Sequence, residues 1–222
     1  MSSRSDIFSN IRRSLGVTGT ERPRLSAVAE RLAQAPKGVP VARGQLPKDD
    51  MIGLFCAQAE AVQCTVSRVA DSQQVPEEIA NYLRNKNLPA TLRMGEDARL
   101  SAMPWSKTTL ALSQGRSDGA DLNAVSHAFA GVAETGTLIM TSGADNPTSL
   151  NFLPDNHIIV VEAADITGDY ESAWQSLRER FGKGLMPRTV NMITGPSRSG
   201  DIEQTILLGA HGPRALHLVV VG

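Results

Sequence analysis

Cysteine is scarce: two in 222 residues, Cys56 and Cys64. A Cys-x7-Cys pair is no disulfide framework, and it has no Cys-x-x-Cys companion for zinc or an iron–sulfur cluster. The chain is thus not a self-contained iron–sulfur protein, and both thiols read as small buried hydrophobes. Aromatic residues make up 4% of the sequence, too few for a base-stacking surface. Neither charge sign dominates, with 22 Lys+Arg against 23 Asp+Glu, which argues against a broad electrostatic nucleic-acid binder. Apolar runs such as Leu138–Met140, Ile158–Val161 and Leu218–Val221 have strand length. They fall far short of the roughly 18 residues a membrane span requires. The start, Met1 to Asp6, lacks an apolar signal region, so no transmembrane segment and a cytoplasmic location are expected. No Walker A loop, Gly-x-Gly-x-x-Gly, Gly-x-Ser-x-Gly or His-Glu-x-x-His pattern occurs, and no metal is expected.

What is present is a globular composition, 41% hydrophobic and 20% charged. Ile7, Phe8, Ile11 and Leu15 recur at helical spacing, with Gly16 as the C-cap. Residues 16–47 carry Pro23, Pro36, Pro40 and Pro47 and read mainly as linker, with helix possible over Arg24–Gln34. Residues 1–47 are therefore expected to form an N-terminal helical arm, and residues 48–222 an α/β domain. Within that domain, Met51–Val62 and Pro76–Leu83 read as helices, and Leu122–Val132, apolar and rich in small residues, as a third. Asp169 caps a helix bearing Tyr170, Trp174, Leu177 and Phe181 on one face. Strands are expected at Cys64–Val69, Pro89–Arg93, Thr108–Leu112, Gly136–Thr141, His157–Glu162, Val190–Thr194 and Leu216–Val221. Strands separated by helices predict an α/β fold, a mostly parallel sheet flanked by helices.

Ligands in such sheets bind beyond the carboxyl ends of the strands. Several polar, Gly-rich segments qualify as candidate sites. In Ala133-Glu-Thr-Gly-Thr137, Glu134 is a candidate base, nucleophile or hydroxyl acceptor. The alternative is a helix-to-strand turn in which Gly136 relaxes the backbone and Glu134 is solvated. Ser142 and Gly143 leave the next strand; they suit a donor to an anion and a close ligand approach, or an ordinary polar loop. His157 opens an apolar strand as either a structural histidine or an acid/base group. Thr194-Gly-Pro-Ser-Arg-Ser-Gly-Asp-Ile-Glu203 has the composition of a helix start. There Ser197, backbone N–H groups and the fork of Arg198 would hold a carboxylate or phosphate. Equally, Asp201 and Glu203 could tie up Arg198 in a structural ion-pair loop. His211, between Gly209 and Gly212, is a further acid/base candidate, whereas His217 alternates into the last strand and reads as structural.

Taken together, Ala133–Thr137, Ser142-Gly143, Leu153-Pro154 with His157, Thr194–Glu203 and Gly209–Pro213 resemble the LUD-domain family in order and spacing. The resemblance is strong over residues 115–222 and weaker over 48–114. Ser199-Gly200 departs from the Thr-Ala usual there, and His127 and Phe129 are unusual in the segment before Glu134. The resemblance implies the sheet type shared by sugar-phosphate isomerases, CoA transferases and formyltetrahydrofolate cyclo-ligases. It implies a role in oxidising lactate to pyruvate beside iron–sulfur protein partners, with no cofactor in this chain. The ligand would then be a small anion, a 2-hydroxy or 2-keto acid. In one shared pocket, Glu134 would act as base or acceptor and Arg198 as the carboxylate clamp oriented by Asp201. Thr135, Gly136, Ser142, Gly143 and Ser197 would complete the binding site, with His157 and His211 as acid/base groups. A stand-alone enzyme on a small anionic substrate and a non-catalytic ligand-sensing scaffold are the alternatives.

Overall fold

The computed structural model describes residues 3–182, 184–200 and 206–222. It divides into two compact units, residues 1–39 and 40–222. The first contains α1 (Arg4–Leu15) and α2 (Arg22–Gln34), in neither of which any residue is buried. The entry to α1 is fixed by a capping box. Ser3 N–H donates to Asp6 Oδ2 at 2.9 Å, and Asp6 N–H returns a bond to Ser3 Oγ at 3.3 Å. Gly16 ends the helix in the left-handed region at φ 63°, as its sequence position predicts. The stretch expected to be mainly linker is helical over α2, which Pro23 opens from the first turn, where its missing N–H costs nothing.

The division falls ahead of the expected boundary at 47/48, because residues 40–47 pack with the second unit. Gln45 Nε2, for example, donates to Asp169 Oδ2 at 2.8 Å. That unit holds a six-stranded, wholly parallel sheet built from β1 (Thr65–Val69), β2 (Thr91–Met94), β3 (Ala111–Gln114), β4 (Asn123–His127), β7 (Asn156–Glu162) and β12 (Ala215–Val221). The spatial order is β1-β12-β7-β4-β2-β3. The α/β expectation of a mostly parallel sheet flanked by helices holds. One face, Ile159, Val161, Leu216, Leu218 and Val220, packs on Phe55 and Ala59 of α3 (Lys48–Ala61). The other face, Val125, Ile158, Val160 and Val219, packs on Val75, Ile79 and Leu83 of α4 (Val75–Asn85). Each fully buried large side chain contributes roughly 1.5–3 kcal/mol, so the sheet edges are set by a rigid core.

A second sheet draws two strands from the chain between β4 and β7 and two from the chain between β7 and β12. It consists of β5 (Ala130–Val132), β6 (Thr137–Thr141), β8 (Ile166–Thr167) and β9 (Val190–Ile193), in the order β8-β5-β6-β9. Leu138 and Met140 of β6 join the α3 core, while Val132 and Ile139 face Ala173 and Leu177 of α6 (Tyr170–Phe181). The helix expected over Leu122–Val132 is therefore two strands, β4 and β5, joined at Ala128–Phe129. All five residues of β4 are buried, since β4 lies between β7 and β2 with both faces covered. Such a strand shows no alternation of apolar and polar residues, and its small side chains mimic helix composition. The strand expected at Thr108–Leu112 is β3, displaced to Ala111–Gln114 behind the short α5 (Ala98–Ser101) and the turn at Trp105.

Candidate functional site

The residues singled out from sequence fall in three places. The first is the tip of the β5–β6 hairpin and the end of α3. Ala133–Thr137 is a hairpin turn, not a helix-to-strand junction. Glu134 is 5% exposed, contrary to the solvated alternative. Its Oε1 accepts the Tyr170 N–H at 3.2 Å, at the first turn of α6, where a carboxylate also favours the helix dipole. A chain of hydroxyls follows. Thr137 Oγ1 lies 2.7 Å from Thr135 Oγ1, 2.8 Å from Tyr170 Oη and 2.6 Å from Thr194 Oγ1. Gly136 adopts φ +66°, and a Cβ there would collide with the backbone of Gln58 and Ala59 in α3. Only glycine fits this close approach.

From Thr194 the chain leads to Ser197 and Arg198. Ser197 N–H donates to Pro213 O at 2.8 Å, and Ser197 Oγ accepts His211 N–H at 3.3 Å. Arg198 Nη2 reaches Val62 O at 3.4 Å, just beyond the end of α3. Thr135, Gly136, Ser197, Arg198 and His211 thus gather around the end of α3, with Glu134 beneath the hairpin tip. The expected helix start is absent at Arg198: Arg198–Gly200 form β10, antiparallel to β11 (Ile206–Leu208). Asp201 lies outside the described residues, as does Glu203.

The second place is the amino end of the large sheet. His157 pairs in register with Leu216 and Ala124 and is 1% exposed. Its Nε2 is 3.0 Å from Ser126 Oγ, and burial pushes its pKa down to about 3. It is a neutral core group, away from the hairpin cluster. His217 is similar: it stacks on Tyr82 with ring centroids 4.0 Å apart, bonds Thr65 Oγ1 at 2.8 Å, and burial lowers its pKa to about 4.

The third place is the carboxyl end of the same sheet, where β4 ends at His127 and β7 at Glu162. A cavity of about 550 Å³ opens here, lined by Asp97, Arg99, His127, Phe129, Ser142 and Arg180. Of the sequence-derived residues that are described, only Ser142 lines it; Gly143 lines a neighbouring depression with Glu96 and Arg116. Asp97 accepts Arg99 Nη2 at 2.7 Å and the Arg99 backbone N–H at 2.8 Å. Burial would raise this carboxyl, but the Arg99 hydrogen bonds and charge outweigh it and hold it below its ordinary range. His127 Nδ1 lies 2.9 Å from Ala128 O. A carbonyl only accepts, so Nδ1 carries the hydrogen and Nε2 faces Glu162 Oε1 at 3.4 Å. Ser142 Oγ accepts Thr189 N–H at 2.9 Å, leaving its own hydrogen to donate.

Sequence reasoning misses His127, Asp97, Arg99 and Arg180. Reading Leu122–Val132 as helix conceals that His127 is the last residue of a parallel strand, which is the signal that would find it. Among the described residues, no group of three or more His, Cys, Asp or Glu side chains could hold a metal ion. Burial pushes both thiols up, Cys64 to about 11, so neither is a ready thiolate. No described helix is long and apolar enough to cross a membrane.

The sequence pattern of the LUD domain matches residues 52–221. The chain belongs to the LUD domain family. It is 28% identical to lactate utilization protein C of Geobacillus kaustophilus over 231 aligned positions, 89% of this chain and 94% of that protein. Lactate utilization protein C of Bacillus subtilis is 35% identical over 91 residues, 40% of this chain and 38% of that protein. A solved DUF162 family protein from Deinococcus radiodurans has the same fold, with a TM-score of 0.55 over 80% of this chain and 99% of that one at 22% identity. The family suggested by the motif set is therefore this chain's family.

Proposed function

We propose that this LUD-domain chain serves lactate utilisation as a non-redox subunit. It binds the 2-hydroxy or 2-keto acid in the cytoplasm while iron–sulfur partner proteins carry the electrons. The observation that carries this reading is the similarity to lactate utilization protein C over 94% of that protein's length. The chain's own residues support the binding half of the role. Arg180, at the end of α6, is an exposed guanidinium group suited to a carboxylate. The stand-alone enzyme built on Glu134 has weaker support, because Glu134 Oε1 is already engaged by the Tyr170 N–H.

Deleting the encoding gene tests the reading. The strain should fail to grow on lactate as sole carbon source, grow on pyruvate, and recover when the full chain is restored. Undiminished growth on lactate would contradict it. Affinity capture of the full chain during growth on lactate should recover iron–sulfur proteins, detected by their iron content; their absence would remove the partners from the account.

A further inference from the structure

We infer that the cavity at the carboxyl end of the six-stranded sheet is a binding site for a small monoanionic hydroxy or oxo acid, anchored by Arg180 and Ser142. That the acid belongs to lactate metabolism rests on the proposed function; its chemical class rests on the cavity.

Position is the first argument. The cavity lies beyond β4, β7 and the exit of β2, where parallel sheets present diverging loops to a ligand. Its volume, about 550 Å³, is within the range of small-molecule sites.

Charge is the second. Of the two guanidinium groups lining the cavity, Arg99 is neutralised by Asp97 at 2.7 Å. Arg180, in the last turn of α6, makes no ion pair among the described residues. It is the cation free to take a carboxylate in two parallel hydrogen bonds. Asp145 and Asp165 also line the cavity, and neither is ion-paired among the described residues. Their charges oppose each negative charge a ligand brings, so with Arg180 as the single unpaired guanidinium in the lining among the described residues, a monocarboxylate is favoured over a phosphate ester or dicarboxylate.

Hydrogen bonding and shape complete the case. The Ser142 hydroxyl accepts Thr189 N–H and keeps a hydrogen for a carbonyl or hydroxyl oxygen. Phe129 and Phe181, with ring centroids 6.2 Å apart, give the cavity an apolar wall for the carbon skeleton. His127 is itself fully buried, and its role is positioning: its Nδ1–H on Ala128 O fixes the ring in the cavity wall at the end of β4.

The test is titration calorimetry on the intact chain with pyruvate, L-lactate and D-lactate as probes, and with lactamide and malonate as comparators. At least one probe should bind. Arg180→Gln should weaken it by about tenfold or more, about 1.4 kcal/mol. Arg198→Gln should leave it within about twofold, and lactamide and malonate should each bind about tenfold more weakly. Arg180 is exposed, so its variant should fold, which an unchanged thermal midpoint checks. Binding retained in Arg180→Gln, binding lost in Arg198→Gln, or no binding by any probe would each overturn the inference. The growth phenotype judges the proposed function separately, so the two can fail independently.

Discussion

The β5–β6 hairpin tip and the carboxyl end of the large sheet are both dense in polar side chains, but they differ in what those side chains hold. At the hairpin, Glu134 bonds the first turn of α6, Thr137 links Thr135, Tyr170 and Thr194, and Gly136 lies flush on α3. These contacts tie the hairpin to α3 and α6. At the sheet end, Arg180 has no ion-pair partner among the described residues and Ser142 keeps a hydrogen to donate. The hairpin motif that stands out in the sequence thus builds a joint, whereas the open chemistry pairs Ser142, which a motif marks, with Arg180, which none does. Prominence in sequence and availability to a ligand are separate properties.

The contrast can be broken by substitution. The largest effect is expected at the hairpin. Gly136→Ala combines a left-handed backbone with overpacking against α3 and should cost about 3 kcal/mol, a fall of about 6–12 °C in Tm. A Tm within about 2 °C of the parent would mean that the joint is loose.

A second, pH-dependent effect marks the amino end of the sheet as closed as well. His157 is neutral in the fold, with its pKa lowered to about 3, and charges in the unfolded chain below about 6.5. The unfolded chain therefore binds more protons in this window. Stability is full above about pH 6.5 and falls by about 1.4 kcal/mol per pH unit as pH drops toward 3. His217, lowered to about 4, adds to the slope in the same sense. Denaturant midpoints from pH 7 to 5 should show this, and His157→Gln should remove the His157 share. An unchanged slope would mean that His157 is hydrated.

Smaller effects separate joint from site. Glu134→Ala strands the Tyr170 N–H and should cost about 1–2 kcal/mol, while Glu134→Gln keeps an acceptor and should cost about 0.5 kcal/mol. Loss of lactate-dependent growth in the stable Glu134→Gln variant would show that the hairpin also does chemistry. Arg180→Gln should shift stability by no more than about 0.5 kcal/mol, although it removes the proposed ligand anchor.

Much of this frame is legible in the amino-acid sequence. The helix through Leu15 with its Gly16 cap, the Asp169 cap and the strands at His157–Glu162 and Leu216–Val221 follow from periodicity and capping chemistry. What fails to show has definite causes. β4 is covered on both faces, so its sequence carries no period of two, and His127 at its end is hidden with it. The run after Thr194 has the Gly, Ser and Asp content of a helix start, yet Arg198–Gly200 pair antiparallel with Ile206–Leu208. That pairing is a contact no local propensity encodes. The spread of candidate residues over both ends of the sheet and the hairpin is equally hidden, because spacing along the chain does not reveal the end of the sheet on which a loop emerges.

The most direct measurement is a crystal structure of the chain grown with pyruvate. The account predicts density for the acid in the cavity at the end of β4 and β7, its carboxylate on Arg180 and an oxygen on Ser142. Density against Ser197 and Arg198 at the end of α3, with the cavity holding water alone, would contradict it.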